Sequence, residues 1–409
     1  MTVPNQDTVA PLTFSGPDFP AHAAQPAAVP AERTPQVLAY YFPQWHADPT
    51  NDLMHRPGWT EWDVVRPATP RYPGHYQPKV PAWGYADEAD PRVASRIVDA
   101  ALEHDLTGFV VDWYWYDNQP FLNRALDEGL LGADRIGELR FALMWANHEW
   151  VDIYPARDLT PPVLLPGPNS RHHARSAFAH VIDRYLHHPS YWRIDGAPYF
   201  SLYDVPSFVR GMGGINAAAD MLAEFRALAS DAGIPRLHLN AVTTFNIDDP
   251  AAMAARLGAD TVTHYTWWHH PDAGFDTFPT TDYQRVLERA REVWAESSTS
   301  LQGRYLPNVT MGWDPSPRSV DWPLDRERGY PFTSILAGNT PDAFGVAIRD
   351  AVRHALTHAH HPVVLINAWN EWTEGSYLEP DDRHGLAYLE AVRSAIEAAT
   401  THSVPTSSR

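Results

Sequence analysis

The chain has 409 residues, 44 % hydrophobic and 20 % charged, an ordinary globular composition that fits one large barrel or two to three smaller domains. Fifty acidic against 31 basic residues give a net charge of −19, which disfavours nucleic acid and anionic membrane as partners because phosphates are repelled. There is no cysteine, so disulfides, thiolate metal sites and cysteine nucleophiles are excluded.

Residues 1–35, rich in Ala, Pro and small polar residues, read as a flexible N-terminal arm. The arm has neither a basic n-region nor an apolar h-region. No run approaches the roughly 18 apolar residues of a membrane helix. A cytoplasmic location, without membrane insertion, is the default expectation. Eight short runs of β-branched and aromatic residues then follow as strands: 37–42 (VLAYYF), 108–115 (GFVVDWYW), 141–146 (FALMWA), 198–203 (PYFSLY), 237–243 (LHLNAVT), 260–265 (DTVTHY), 306–312 (LPNVTMG) and 363–368 (VVLINA). Most are continuously apolar, the pattern of strands buried on both faces. Helical periodicity lies between them at 91–104, 174–187, 217–232, 281–296 and 342–358, and again at 386–398. Strand-helix alternation with eight strands predicts an α/β fold, a closed (β/α)8 TIM barrel forming one domain over 36–398, with a flexible tail at 399–409. An open doubly wound sheet is the alternative, but no GxGxxG or GxxxxGK[ST] follows any strand.

Active sites of such barrels form at the C-terminal ends of the strands. The first strand ends on Tyr41 and leads to Trp45 and His46; the second delivers Asp112, Tyr114 and Trp115. The third leads through Trp145 to Asn147, Glu149 and Trp150, and the fourth ends on Tyr203. His264 and Trp267 follow the sixth, and Trp313 follows the seventh. The polar, Pro/Gly-rich segment 47–84 is too long for a bare connection and reads as a loop over the rim, offering Trp59, Glu61, Trp62, His75, Tyr76 and Gln77. The alternative for each of these six is a flap packed by its own aromatics.

The eighth strand runs into NEWTEGSYLEP, which places Asn370, Glu371 and Glu374 beside Trp372 and Tyr377. Two carboxyls three residues apart, walled by aromatic rings, suit glycosidic bond chemistry, which needs acid/base groups and flat apolar faces for sugar rings. The competing reading is a turn whose glutamates cap and solvate the next helix. Sixteen Trp and eighteen Tyr fit either a flat ligand or a large aromatic core. No HExxH occurs and the His-His pairs diverge on regular elements, so neither metal nor other cofactor is expected.

Six stretches together resemble the WbsX-type, glycoside hydrolase family 99-like domain: AYYFPQWH (39–46), GWTEWDVV (58–65), PGHYQP (73–78), TGFVVDWYWY (107–116), FALMWANHEW (141–150) and INAWNEWTEGSYLEPD (366–381). The resemblance implies a (β/α)8 barrel and retaining, endo-acting hydrolysis of α-mannosidic linkages in an oligosaccharide or polysaccharide. It also implies that Glu371 assists the sugar 2-hydroxyl in attacking its own anomeric carbon, while Glu374 protonates the leaving oxygen and then activates water. The trans geometry that this attack requires admits α-manno- and α-rhamno-configured sugars. WbsX-like members also carry a glycosyltransferase label. A transferase working on a nucleotide-sugar needs a diphosphate cradle, and no DxD occurs; Asp248-Asp249 and Asp381-Asp382 are adjacent pairs. A non-catalytic glycan-binding barrel is the third reading, and the two retained glutamates argue against it.

Overall fold

The computed structural model describes residues 33–167, 170–319, 323 and 325–401. The expected arm over 1–32 and the tail beyond 401 lie outside the described residues. Arg33 is tied down: its guanidinium donates to the carbonyls of Leu356, Ala359 and His360 at 3.0, 2.6 and 2.6 Å. Residues 399–401, read as tail, belong to the closing helix Ala387–Thr401.

All eight expected strands form: β1 (Gln36–Tyr41), β2 (Gly108–Tyr116), β3 (Arg140–Trp145), β4 (Ala197–Leu202), β5 (His238–Val242), β6 (Thr261–Thr263), β7 (Tyr305–Leu306 and Asn308–Thr310) and β8 (Val363–Asn367). Each pairs in parallel with the next in sequence, and β1 pairs with β8 through Gln36↔Val363. β7 completes the circuit in two pieces. Its first half pairs with β6 (Val262↔Tyr305) and its second with β8 (Asn308↔Leu365). Pro307 separates the halves because it has no N–H for the ladder, while its carbonyl accepts from Leu365 N at 3.0 Å. The fold is a (β/α)8 barrel.

Strands buried on both faces need apolar cover on both. All nine residues of β2 are buried, and among the described residues nine Trp are wholly buried. The aromatic excess therefore goes mainly to core. Helices begin on side-chain caps: Asp90 accepts from Arg92 N at 2.9 Å ahead of Pro91–Glu103, and Ser170, Asp204, Asp249, Asp282 and Thr340 cap later helices. A further eight-residue, Ala-rich helix, Pro250–Leu257, follows β5, and its cap is one member of the Asp248-Asp249 pair. After β2 the helical layer is only a π turn, Ala125–Gly129, and a 3-10 turn, Leu130–Gly132.

Candidate active site

The turn after β8 is built by its own short-range chemistry. Asn370–Glu371 pairs antiparallel with Ser376–Tyr377, and the tight turn Trp372–Glu374 closes on Gly375 at φ +65°. A Cβ on Gly375 would lie 2.8 Å from Asp314 Cβ, so only glycine fits. The Asn370 side chain imitates a strand partner: its Oδ1 accepts from Phe42 N at 2.7 Å and its Nδ2 donates to Phe42 O at 2.9 Å. Nδ2 also reaches Glu88 at 2.9 Å, which accepts from Tyr41 at 2.5 Å. Trp372 stacks on Tyr377 with centroids 3.8 Å apart and donates to Glu379 at 2.8 Å. Tyr377 donates to Asp381 at 2.8 Å. Tyr41, Asn370, Trp372 and Tyr377 thus brace the turn from behind.

On its other side the turn presents Glu371 and Glu374 to one buried guanidinium. Arg318 Nη1 donates to Glu374 Oε1 at 2.7 Å, and Nη2 lies 3.8 Å from Glu371 Oε1. Nη2 also donates to Glu61 at 3.1 Å, whose other oxygen accepts from Thr373 at 2.8 Å. Tyr330 donates to Glu374 Oε1 at 2.7 Å, so two donors converge on that oxygen. Glu371 Oε2 accepts from Tyr265 at 2.8 Å and from Asn367 at 3.3 Å. The same Tyr265 hydroxyl lies 2.9 Å from Asp112 Oδ2. Burial, then the neighbouring Glu374, push the Glu371 carboxyl well above the usual carboxylate range, and burial does the same to Asp112. Burial also raises Glu61, against the pull of Arg318.

Asp112, Tyr265, Arg318, Tyr330, Glu371 and Glu374 open on a cleft of about 360 Å³ at the C-terminal rim of the barrel. Of the residues expected to meet a ligand, Asp112, Tyr114, Glu149, Trp150, Tyr203, Trp313, Glu371 and Glu374 line it. Trp313 stacks with Trp268, centroids 6.0 Å apart and planes within 10°, a flat apolar wall. The others lie outside the lining, each with a physical reason. Trp45 and Trp62 pack on each other at 3.9 Å; His46 contacts the carbonyls of Ala47 and Leu122 at 3.0 and 3.2 Å. Trp59 stacks on His55, and Glu61 lies behind Arg318. His75 and Gln77 donate to Asp314 at 2.9 and 2.7 Å, together with Lys79 at 2.5 Å, while Tyr76 donates to Asp382 at 2.6 Å. Trp115 packs with Trp113 and His180, and Trp145 with Phe178 and Phe208. Asn147 bridges the backbone N and O of Asp204, His264 bonds Tyr305 at 2.8 Å, and Trp267 joins Tyr283 and Trp294 in the core.

The segment 47–84 is therefore a clamp rather than part of the cleft wall. Asp314 gathers its three donors; burial pushes that carboxyl up, but the Lys79 ammonium and His75 outweigh it and hold the group well below the usual carboxylate range. Sequence reasoning did not single out Arg318, Tyr330, Tyr154 or Phe245, all of which line the cleft. Arg318 follows β7 in a Pro-rich stretch without a motif, and the one available signal was indirect: three glutamates destined for burial require a cation. Among the described residues no group of three or more His, Cys, Asp or Glu is placed to hold a metal, and no helix is long and apolar enough to cross a membrane.

The fold resembles that of the GH99 endo-alpha-mannosidase from Bacteroides thetaiotaomicron, with a TM-score of 0.59 at 13 % identity over 90 % of this chain and 99 % of that one. A second solved structure, described as a glycoside hydrolase-like protein, gives a TM-score of 0.61 at 14 % identity over 94 % of this chain and 98 % of that one. At such identities the likeness is one of fold alone. In sequence the chain is 30 % identical over 395 residues to an uncharacterized protein, WxcX, of Xanthomonas campestris pv. campestris strain B100, covering 92 % of this chain and 52 % of that protein. WxcX of strain ATCC 33913 matches at 31 % over 386 residues, 91 % of this chain and 51 % of that protein. The chain spans about half the length of these curated relatives. The family model described as "Glycosyltransferase WbsX" matches residues 37–392, and the chain belongs to that family.

Proposed function

We propose that the chain is a retaining, endo-acting glycoside hydrolase that works on α-manno- or α-rhamno-configured glycans. The pair Glu371 and Glu374 carries this reading: both carboxyls open on one cleft and answer to one guanidinium, opposite a flat aromatic wall. In the first step Glu371 takes the proton of the sugar 2-hydroxyl as its oxygen bonds to the anomeric carbon. Glu374 gives its proton to the glycosidic oxygen as that bond breaks, leaving a 1,2-anhydro sugar. In the second step Glu374 removes a proton from water, water attacks the anomeric carbon, and Glu371 returns the proton to the 2-oxygen. The net stereochemistry is retention. Arg318 and Tyr330 both bond Oε1 of Glu374, which leaves Oε2 for the glycosidic oxygen. A raised Glu371 carboxyl makes a stronger base than an ordinary one. The name of the similarly folded Bacteroides protein, an endo-alpha-mannosidase, agrees with the substrate class.

The test is turnover on a panel of α-mannans and rhamnose-containing glycans, with product anomers followed by NMR. Glu374→Gln should keep its fold and lose about 10²–10⁴-fold in rate; unchanged turnover in that variant refutes the assignment. The family's description favours a second reading, transfer from a nucleotide-sugar in the same cleft. Calorimetry with nucleoside diphosphates separates the two, because only the transferase binds them.

A further inference from the structure

The Tyr265 hydroxyl has one hydrogen and two carboxyl neighbours, Glu371 Oε2 at 2.8 Å and Asp112 Oδ2 at 2.9 Å. It can donate to only one of them. The other approach brings two lone-pair oxygens to hydrogen-bond distance, which is stable only if that carboxyl carries a proton and donates it to the tyrosine oxygen. The surroundings decide which one. Glu371 has a further donor in Asn367 at 3.3 Å and the Arg318 guanidinium at 3.8 Å. Asp112 is 4 % exposed, and its Oδ1 has no hydrogen-bond partner among the described residues. An ionised carboxylate with a bare buried oxygen is costly, whereas a neutral carboxyl is not.

We propose that Asp112 carries this proton and donates it to Tyr265, which donates in turn to Glu371, so that Asp112 is a positioning residue fixing Glu371 as the ionised acceptor. The role given to Glu371 rests on the hydrolase reading; the place of the proton does not. The other groups facing Asp112 agree. Tyr40, Tyr114 and Tyr203 approach from β1, β2 and the end of β4, and all three are neutral phenols pushed further up by burial. Glu374 adds negative charge, which outweighs the pull of Arg318, whose ion pairs are to the three glutamates. Burial pushes both the Asp112 and the Glu371 carboxyls up, and it is the extra donor, Asn367, and the nearer guanidinium that favour the charge on Glu371.

Infrared spectroscopy of the whole protein at neutral pH tests the proton without needing turnover. With ¹³C-labelled aspartate, the wild-type spectrum should show a protonated-carboxyl C=O band that shifts with the label and disappears in Asp112→Asn. The absence of any protonated-carboxyl band that shifts with labelled aspartate, or an aspartate-sensitive band that survives in Asp112→Asn, overturns the proposal; bands from buried glutamates such as Glu379 do not move with that label. Turnover gives an independent arm. The amide introduced by Asp112→Asn can still donate to Tyr265, so the acid limb of kcat/KM should stay in place in that variant even where the rate falls. Had Asp112 been charged, removing that charge would move the limb down by about one pH unit or more. Asp112→Ala, with no donor, should lose at least about tenfold more than Asp112→Asn. If the infrared result holds and no glycan is cleaved, the hydrolase reading fails and the proton assignment stands.

Discussion

Replacing Arg318 with Met gives the sharpest test of how this site is held together. Arg318 is 5 % exposed and its guanidinium bonds Glu61, which is wholly buried, and Glu374, with Glu371 at 3.8 Å. Methionine keeps much of the aliphatic stem but removes the charge, together with the guanidinium carbon that lies 5.4 Å over the Phe42 ring. Removing one partner of a buried ion pair costs about 3–5 kcal/mol, because the remaining charge stays desolvated. Unfolding entropy for 409 residues is about 0.9 kcal/mol/K, so the melting temperature should fall by about 3–6 °C. The loss should also depend on pH. Without the cation the glutamates titrate higher in the folded chain than in the unfolded one, near pH 4.3. Protonation then stabilises the variant fully below that value, and the benefit is lost as pH rises through the folded values. Calorimetry of Arg318→Met against wild type should therefore show a deficit that is small at about pH 4.5 and full by about pH 8. A deficit of the same size at every pH would mean lost packing rather than lost counter-charge, and would refute the reasoning. Arg318→Lys should recover part of the stability, since it restores charge without the fork.

Asp314→Asn should cost about 3–5 kcal/mol at pH 7 by leaving Lys79 and His75 without their carboxylate. The native carboxyl is held below its unfolded value near 3.9, so its contribution is present above about pH 4 and fades as pH falls further. Urea titrations should show the variant's deficit shrinking below that point, and a deficit that persists there counts against the clamp. Burial raises Glu379 to about 7, so its ionisation opposes folding increasingly from about pH 4.5 upward. Glu379→Gln, which keeps an acceptor for Trp372, should be near neutral at about pH 5 and stabilising by about 1–3 kcal/mol at pH 8. Equal melting shifts at both pH values would reject that. Trp268→Ala should raise KM roughly fivefold, about 1 kcal/mol of ring contact, with little change in melting temperature; an unchanged KM removes Trp268 as a sugar platform.

Apolar runs such as those of β2 and β8 were enough to count the strands, because a strand covered on both faces has to be apolar along its whole length. The same count placed Glu371 and Glu374 at the rim. The fine structure of β7 was less legible, since which neighbour each half pairs with depends on closure of the whole sheet around Pro307. Rim position also proved a weaker guide to side-chain direction. Trp115 and Trp145 lie at strand ends yet pack against helix-borne His180, Phe178 and Phe208, because alternate residues of a barrel strand point to opposite faces.

The sequence by itself determined the barrel, its strand order along the chain and the paired glutamates of its last turn, because these depend on local periodicity and on residues near one another in the chain. Only the tertiary structure decided which charges meet. Arg318 finds Glu61, Glu371 and Glu374, Asp314 finds Lys79, and Asp112 shares Tyr265 with Glu371, all across long separations in sequence. A buried charge is settled by whatever partners the closed fold brings to it, and no local pattern encodes that.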